Sequence, residues 1–432
     1  MKKVFALFMM LVLALGVLAA CAPERPTNEE SEGNNEGSSN ENTEGETSSD
    51  KPEKLVIWED KEKGVGLEPA IKSFEEEYGI KVEYKEMDMA SEIRENLRLD
   101  GPAGSGPDVL TLPHDQIGQV VTEGLIAPIE SNDEVVNRYT ESSILAQTYD
   151  GTLYGLPKAT ETPVFIYNKD HMEKPPENFE ELYKFSQDFG GDKEYGFLAL
   201  WDNYYFAHAV IGGFGGYVFE NNEGALDPTK IGLNNEGAIK GAEYIEKWYD
   251  NIFPSGIVGE SGGSTKGALF EEGKVASQQD GPWAFQGLTD KGINYGVAPM
   301  PKLPNGEYPK TFMGVKGWHV SSFSDNKEWA TKLVEWIANE ENAKIRFEKT
   351  SEIPPVKSLI EDPIIAEDPK AKAVAVQSSR ATPMPNIPEM AEVWGPMAQA
   401  LQLVATDKAE PEEALNSAVE TIKANIEANH SE

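Results

Sequence analysis

The sequence predicts an α/β protein folded as two lobes, and three observations carry that expectation. Short apolar strands alternate along the chain with helices of period 3.6. A strand–helix–strand unit, the mark of a parallel sheet, opens the globular part. The chain has 432 residues, and the part beyond its leader and linker, about 380 residues, is too long for one hydrophobic core.

The leader comes first. Lys2 and Lys3 precede an apolar run from Val4 to Ala20, and the stretch ends Leu18-Ala19-Ala20-Cys21. A charged front, an apolar middle and small residues at the end read as a signal peptide over residues 1–20 rather than a permanent span. Cys21, the single cysteine of the chain, stands where a bacterial lipobox places the residue that is acylated and becomes the new N-terminus. At ~0.8 kcal/mol per buried CH₂, two or three acyl chains hold a protein on a membrane surface. Residues 21–52 are rich in Glu, Ser, Asn, Gly and Thr, with no aromatic or β-branched apolar residue. Such a segment has too little apolar surface to order itself, so it reads as an acidic tether.

The globular elements follow in order. Lys54–Trp58 is a short apolar strand. Leu67, Ile71, Phe74 and Tyr78 then recur at helical spacing, and Gly79 stops that helix. Ile80, Val82 and Tyr84 alternate with charged residues, which predicts a second strand. Further strands are expected at Val109–Leu112, Pro163–Tyr167, Val275–Gln278 and Ile293–Val297. Helices are expected at Asn178–Phe189, Asn235–Tyr249, Asp325–Ala338 and Pro411–Ala428.

Charge narrows the function. With 38 Lys+Arg against 74 Asp+Glu, the formal net charge is −36. A chain this acidic repels phosphate backbones and anionic headgroups, so nucleic acid is not a partner. Five scattered His and one Cys leave no metal-ligand spacing, and neither a metal nor a cofactor is expected. The chain carries no GxSxG and no GxxxxGK[ST]. The glycines of IGGFGGY lack a basic neighbour and are expected in a tight loop or a close helix contact. Aromatics say more. Trp248, Trp329 and Trp336 sit on helix faces and are expected in the core. Trp58, Trp201, Trp283, Trp318 and Trp394 fall at strand ends or in turns beside polar residues. That setting suits a sugar site, because a pyranose stacks its CH face on a ring while carboxylates, amides and Lys take its hydroxyls.

The runs KLVIWEDKEKG, GIKVEY, GPDVLTLPHDQIG, YGLPKATETPVFIYNKD, FGGYVF, DGPWAF, NYGVAPMP and MPNIPEM occur in this order. The set resembles the maltose- and maltodextrin-binding proteins of bacterial ABC importers, above all the Gram-positive maltodextrin/cyclodextrin-binding lipoproteins. The resemblance spans about Leu55 to the C-terminus. It implies the type II periplasmic-binding-protein-like fold, two lobes joined by a hinge with ligand in the cleft. The N-lobe is expected over 53–160 plus 317–364, and the C-lobe over 161–316 plus 365–432.

Residue by residue, the resemblance implies that Glu62 and Lys63 grip sugar hydroxyls, that Asp115 is an acid of the cleft and Glu161 another at the hinge. Tyr205 and Phe206 would line one lobe, with Asn203 where many relatives keep an acid. Trp283 and Trp394 would stack on the sugar, and Trp318 would replace part of a stacking surface lost elsewhere. Leu112, Gln116 and Ala398 depart from the enterobacterial pattern of Trp, Arg and Arg. The implied function is a non-enzymatic, monomeric receptor, lipid-anchored at Cys21 on the outer face of a Gram-positive membrane. It would pass malto-oligosaccharides to an ABC permease. Two alternatives stay open at this point: a binder of another oligosaccharide with the same fold, and a secreted glycoside hydrolase using a pair of the many carboxylates.

Overall fold

Lys54–Asp60 pairs in parallel with Lys81–Met87, Leu55 opposite Val82. The helix Glu68–Tyr78 between them buries Ala70, Ile71 and Phe74 and ends where Gly79 takes φ 60°. Glycine adopts that left-handed cap without a Cβ penalty. The strand–helix–strand unit is therefore present as expected. The coordinates are a computed structural model that describes residues 51–430 apart from Gly190, Asp192, Glu223, Gly224 and Glu260. The leader, Cys21 and the tether up to Asp50 lie outside the described residues.

Lys54–Asp60 also pairs in parallel with Val109–Pro113, which runs antiparallel to Phe312–Ser321. Gly155–Glu161 and Ile126–Ala127 join that last strand antiparallel, and Thr382–Pro383 joins it parallel. Together they make a seven-stranded mixed sheet. A second sheet has three strands, with Val164–Asn168 between Ser277–Asp280 and Tyr295–Ala298, both antiparallel to it. These two sheets are the cores of two lobes.

The chain crosses between these two sheets twice. It leaves the first at Glu161 and enters the second at Val164. It leaves the second at Ala298 and returns at Phe312. The two crossing segments are tied together, since the Thr162 hydroxyl lies 2.6 Å from that of Thr311 and 2.9 Å from the Phe312 carbonyl oxygen. The boundary expected between residues 316 and 317 falls inside the unbroken strand Phe312–Ser321, so the change of sheet comes earlier in the chain than that.

Around the second sheet an aromatic core forms. Trp201 and Trp248, both fully buried, meet edge to face at 5.7 Å between ring centres, with Phe179, Phe197 and Phe253 about them. Each buried ring contributes on the order of 1.5–3 kcal/mol through area alone. The expected helices appear as Phe179–Asp188, Glu236–Asn251, Lys327–Ile337 and Pro411–His430. Asn178 and Asn235 cap two of them, each accepting a backbone N–H three residues on. The IGGFGGY glycines end the buried helix Tyr204–Gly213, and Gly215 turns the chain at φ 108°.

Candidate functional site

The three parallel strands of the first sheet all end at one edge. Their C-terminal ends deliver Asp60, Asp88 and Asp115 to the same cavity. Ligands of open α/β sheets lie beyond that edge, where backbone groups leave the ladder and side chains from neighbouring loops converge. Asp115 is held there by its neighbour. The Val315 N–H donates to His114 Nδ1 at 3.0 Å, which leaves His114 Nε2–H to donate to the Met384 carbonyl oxygen at 3.0 Å. Burial keeps this imidazole neutral, its pKa lowered to about 4. Three segments are thus clamped around one ring, and the turn His114–Gln116 cannot swing.

After the first strand, Glu62 takes φ 62°, a left-handed conformation that non-glycine residues adopt at some cost. The turn brings Lys63 inward, 3% exposed, where its ammonium donates to the Trp283 carbonyl oxygen at 3.3 Å. That bond joins the first lobe to the turn that follows the strand Ser277–Asp280 of the second sheet.

The opposite wall is aromatic. Asn203 caps the helix Tyr204–Gly213, its Oδ1 accepting the Tyr205 N–H at 3.0 Å, so Tyr205 and Phe206 occupy the first turn. Lys266, 2% exposed, donates to the Gln279 carbonyl oxygen at 2.8 Å and to Asp280 Oδ2 at 2.7 Å. This fixes the start of the Asp280-Gly281-Pro282-Trp283 turn. A Cβ at position 281 would collide with the Trp283 ring, so only glycine lets the indole fold over the backbone there. Trp394 stands in the helix Ala391–Ala405, its ring centre 6.0 Å from that of Tyr204 and 5.8 Å from that of Phe312.

These walls enclose a cavity of about 860 Å³. Nine of the expected residues line it: Glu62, Lys63, Asp115, Glu161, Asn203, Tyr205, Phe206, Trp283 and Trp394. Trp318 does not. It is fully buried in the central strand of the first sheet, with the Lys158 ammonium 4.9 Å from its ring centre, so the expectation of a stacking surface at Trp318 is corrected. Of the five tryptophans in turns or at strand ends, Trp58 and Trp201 are buried as well. Trp329 and Trp336, expected in the core, are half-buried and pack edge-on against Tyr78 at its rim.

Sequence reasoning gave no role to several lining residues, among them Asp60, Asp88, Arg94 and Lys316. Asp60 and Asp88 carried one usable signal, their place just past parallel strands. Lys316 carried none. The departures Gln116 and Ala398 also line the cavity, whereas Leu112 is buried in the core.

Two lining groups have unsatisfied polar atoms. Neither the Tyr205 hydroxyl nor Gln116 Oε1 has a hydrogen-bond partner among the described residues, although both atoms are buried. A buried polar atom without a partner costs about 1–3 kcal/mol, which a hydroxyl-bearing ligand relieves.

Two acids of the cavity, Asp115 and Glu161, are shifted upward by burial. Burial raises Asp115 to about 6, against its own backbone N–H, Arg94 and the Trp394 indole N–H, which favour its charged form. Sign follows from this. Between the ordinary value of 3.8 and about 6 the folded protein holds a proton that the unfolded chain releases, so this group disfavours folding as pH rises through that window. A ligand hydroxyl donating to Asp115 binds the carboxylate best, so affinity is expected to fall up to about tenfold between pH 7.5 and pH 5. Calorimetric titration at both values checks it, and Asp115→Asn should flatten the profile.

The model of the bacterial extracellular solute-binding protein family matches residues 69–373. The chain belongs to that family. This solute-binding protein is 46% identical over 435 residues to the galactooligosaccharide-binding protein of Bacillus subtilis (strain 168), spanning 100% of this chain and 99% of the relative. To the maltodextrin-binding protein MdxE of the same organism it is 34% identical over 433 residues, 99% of this chain and 98% of the relative. Among solved structures, MalX from Streptococcus pneumoniae in complex with maltopentaose has a TM-score of 0.81 at 32% identity, with 86% of this chain and 100% of that one covered. A cyclo/maltodextrin-binding protein complexed with maltotetraose gives 0.76 at 39% identity, with 89% and 100% covered. The two-lobe α/β fold implied by the sequence motifs is the fold these structures share with it.

Proposed function

We propose that this solute-binding protein captures malto-oligosaccharides in the cavity between its lobes and passes them, without chemical change, to the permease of an ABC importer. One observation supports this most. The cavity sets aromatic faces (Trp283, Tyr205, Phe206, Trp394) beside carboxylates and cations, and it holds a buried Tyr205 hydroxyl in want of a partner. A neutral sugar offers both an apolar CH face and a rim of hydroxyls, which is what such a lining takes. Ligand that touches both walls favours the closed arrangement of the lobes by its differential affinity, and the permease reads that arrangement.

A second reading has its own support. The 46% identity over the whole chain is to a protein named for galactooligosaccharides. Calorimetry against maltose, maltotriose, cyclodextrins and galacto-oligosaccharides separates the two. Binding of the malto-series is the expected result, binding of galacto-oligosaccharides alone gives the second reading, and silence across the panel ends both. Reducing sugar released from maltoheptaose would show a hydrolase instead.

The receptor is proposed to be held at the outer face of the membrane by acylated Cys21. Cys21→Ala is expected to move the processed protein from the membrane fraction to the medium, because acylation requires the thiol. Retention of the processed Ala variant in the membrane fraction would reject the anchor.

A further inference from the structure

Lys316 is the one cavity-lining cation that sits in the central strand of the first sheet, and no motif drew attention to it. Its ammonium is 3% exposed and stands among three carboxylates: Glu161 Oε2 at 3.0 Å, Asp60 Oδ2 at 3.4 Å and Glu352 Oε1 at 3.6 Å. Glu352 Oε1 also takes Lys158 at 3.2 Å, and Lys158 reaches Glu59 at 2.6 Å. The chain of charges runs from the interior of the first lobe to the cavity floor and ends on the two acids that Lys316 touches there.

Those two acids are not equivalent. Asp60 Oδ1 already accepts the N–H groups of Lys61 at 2.9 Å and Met89 at 3.2 Å, so its carboxylate is fixed by backbone. Glu161 faces the same cavity, and Lys316 at Oε2 is its ion-pair partner. The groups around Glu161 are Lys316, Asp60, Glu352, Asp115 and the Tyr205 hydroxyl, which makes Lys316 the cation opposed to several acids. Burial drives the Glu161 carboxyl upward, with Asp60 and Glu352 adding to it, and Lys316 opposes the shift. A buried carboxyl deprived of its cation takes a proton instead of keeping its charge.

We propose that Lys316 is the positioning residue of the cavity floor: its ammonium holds Glu161 as a charged acceptor turned toward the ligand, with Asp60 and Glu352 fixing the ammonium in place. Without it the balance at Glu161 moves further toward the neutral acid, a poorer acceptor for a sugar hydroxyl than the carboxylate. The inference rests on the reading that the cavity takes a neutral oligosaccharide.

The test uses Lys316→Met together with Lys316→Met/Glu352→Gln. The second variant removes one charge of each sign, so it folds where the first leaves the buried acids in excess. Each is titrated with the panel sugar that wild type binds, at pH 6 and pH 9, always against wild type at the same pH. Loss of a charged hydrogen bond predicts affinity about 10- to 150-fold weaker at pH 6. At pH 9, where ionisation of Glu161 is favoured, the loss should be about tenfold smaller than at pH 6, one decade or ~1.4 kcal/mol. A structural role alone gives an equal loss at both pH values, and that outcome, like wild-type affinity at pH 6, overturns the proposal. A ligand-free readout keeps the two readings apart. The carboxyl ¹³C resonance of Glu161, assigned with Glu161→Gln, should titrate at higher pH in the Lys316 variants than in wild type. If wild type binds no panel sugar while this shift appears, the ligand reading fails and the role of Lys316 stands. If the resonance titrates alike in all, Lys316 does not position Glu161.

Discussion

Trp283→Ala and Trp394→Ala are each expected to weaken oligosaccharide affinity by roughly 5- to 150-fold. Truncation removes an apolar ring face and its contact with a sugar, together on the order of 1–3 kcal/mol. The two rings stand on different elements, the turn before Phe285–Asp290 and the helix Ala391–Ala405, and pack against different partners. Their losses should therefore add, which puts the double variant about 25-fold or more below wild type. Both rings are half-buried, so the ligand-free protein should melt close to wild type. Calorimetric titration and apo melting of the three variants decide the matter. If both single variants bind like wild type, the cavity is not where sugar stacks, whatever the family.

Trp318→Ala is expected to do the reverse. The ring is fully buried in the central strand, beneath the Lys158 ammonium and within 5.9 Å of the Arg346 guanidinium. Its removal leaves a cavity beside buried charges and should cost ~3–5 kcal/mol of folding stability. Affinity should be nearly unchanged in the molecules that fold, since Trp318 does not line the site. A variant that melts like wild type and binds poorly would return Trp318 to the cleft. Trp329→Ala is a milder case. Half-buried at the rim against Tyr78, it should cost less than Trp318→Ala.

Much of the fold was legible because its signals are local. The helix Glu68–Tyr78 announces itself by apolar residues at three- and four-residue spacing and a glycine stop. The strands of the second sheet were found to within a few residues from short apolar runs. Phe312–Ser321 went unread as a strand although it touches more of the first sheet than any other. Gly314, Lys316, Gly317 and His319 break its apolar pattern, and of these Lys316 lines the cavity.

The site divides in the same way. Glu62, Lys63, Asp115, Glu161, Trp283 and Trp394 sit in short motifs, and it was the resemblance of those motifs to the maltodextrin-binding proteins that brought them forward. What the sequence by itself determined is the inventory: an acidic α/β chain with aromatics and carboxylates set in turns. Only the tertiary structure decided which of five similar tryptophans face the cavity. An indole beside glycine and polar residues reads the same whether the sheet buries it, as with Trp318, or a turn presents it, as with Trp283. Lys316 shows the limit most plainly. A lysine inside an apolar strand acquires its role from Asp60, Glu161 and Glu352, which lie far away in sequence and meet it only when strands pair. Electrostatic roles depend on distance and burial, and neither is a property of a residue before the chain has folded.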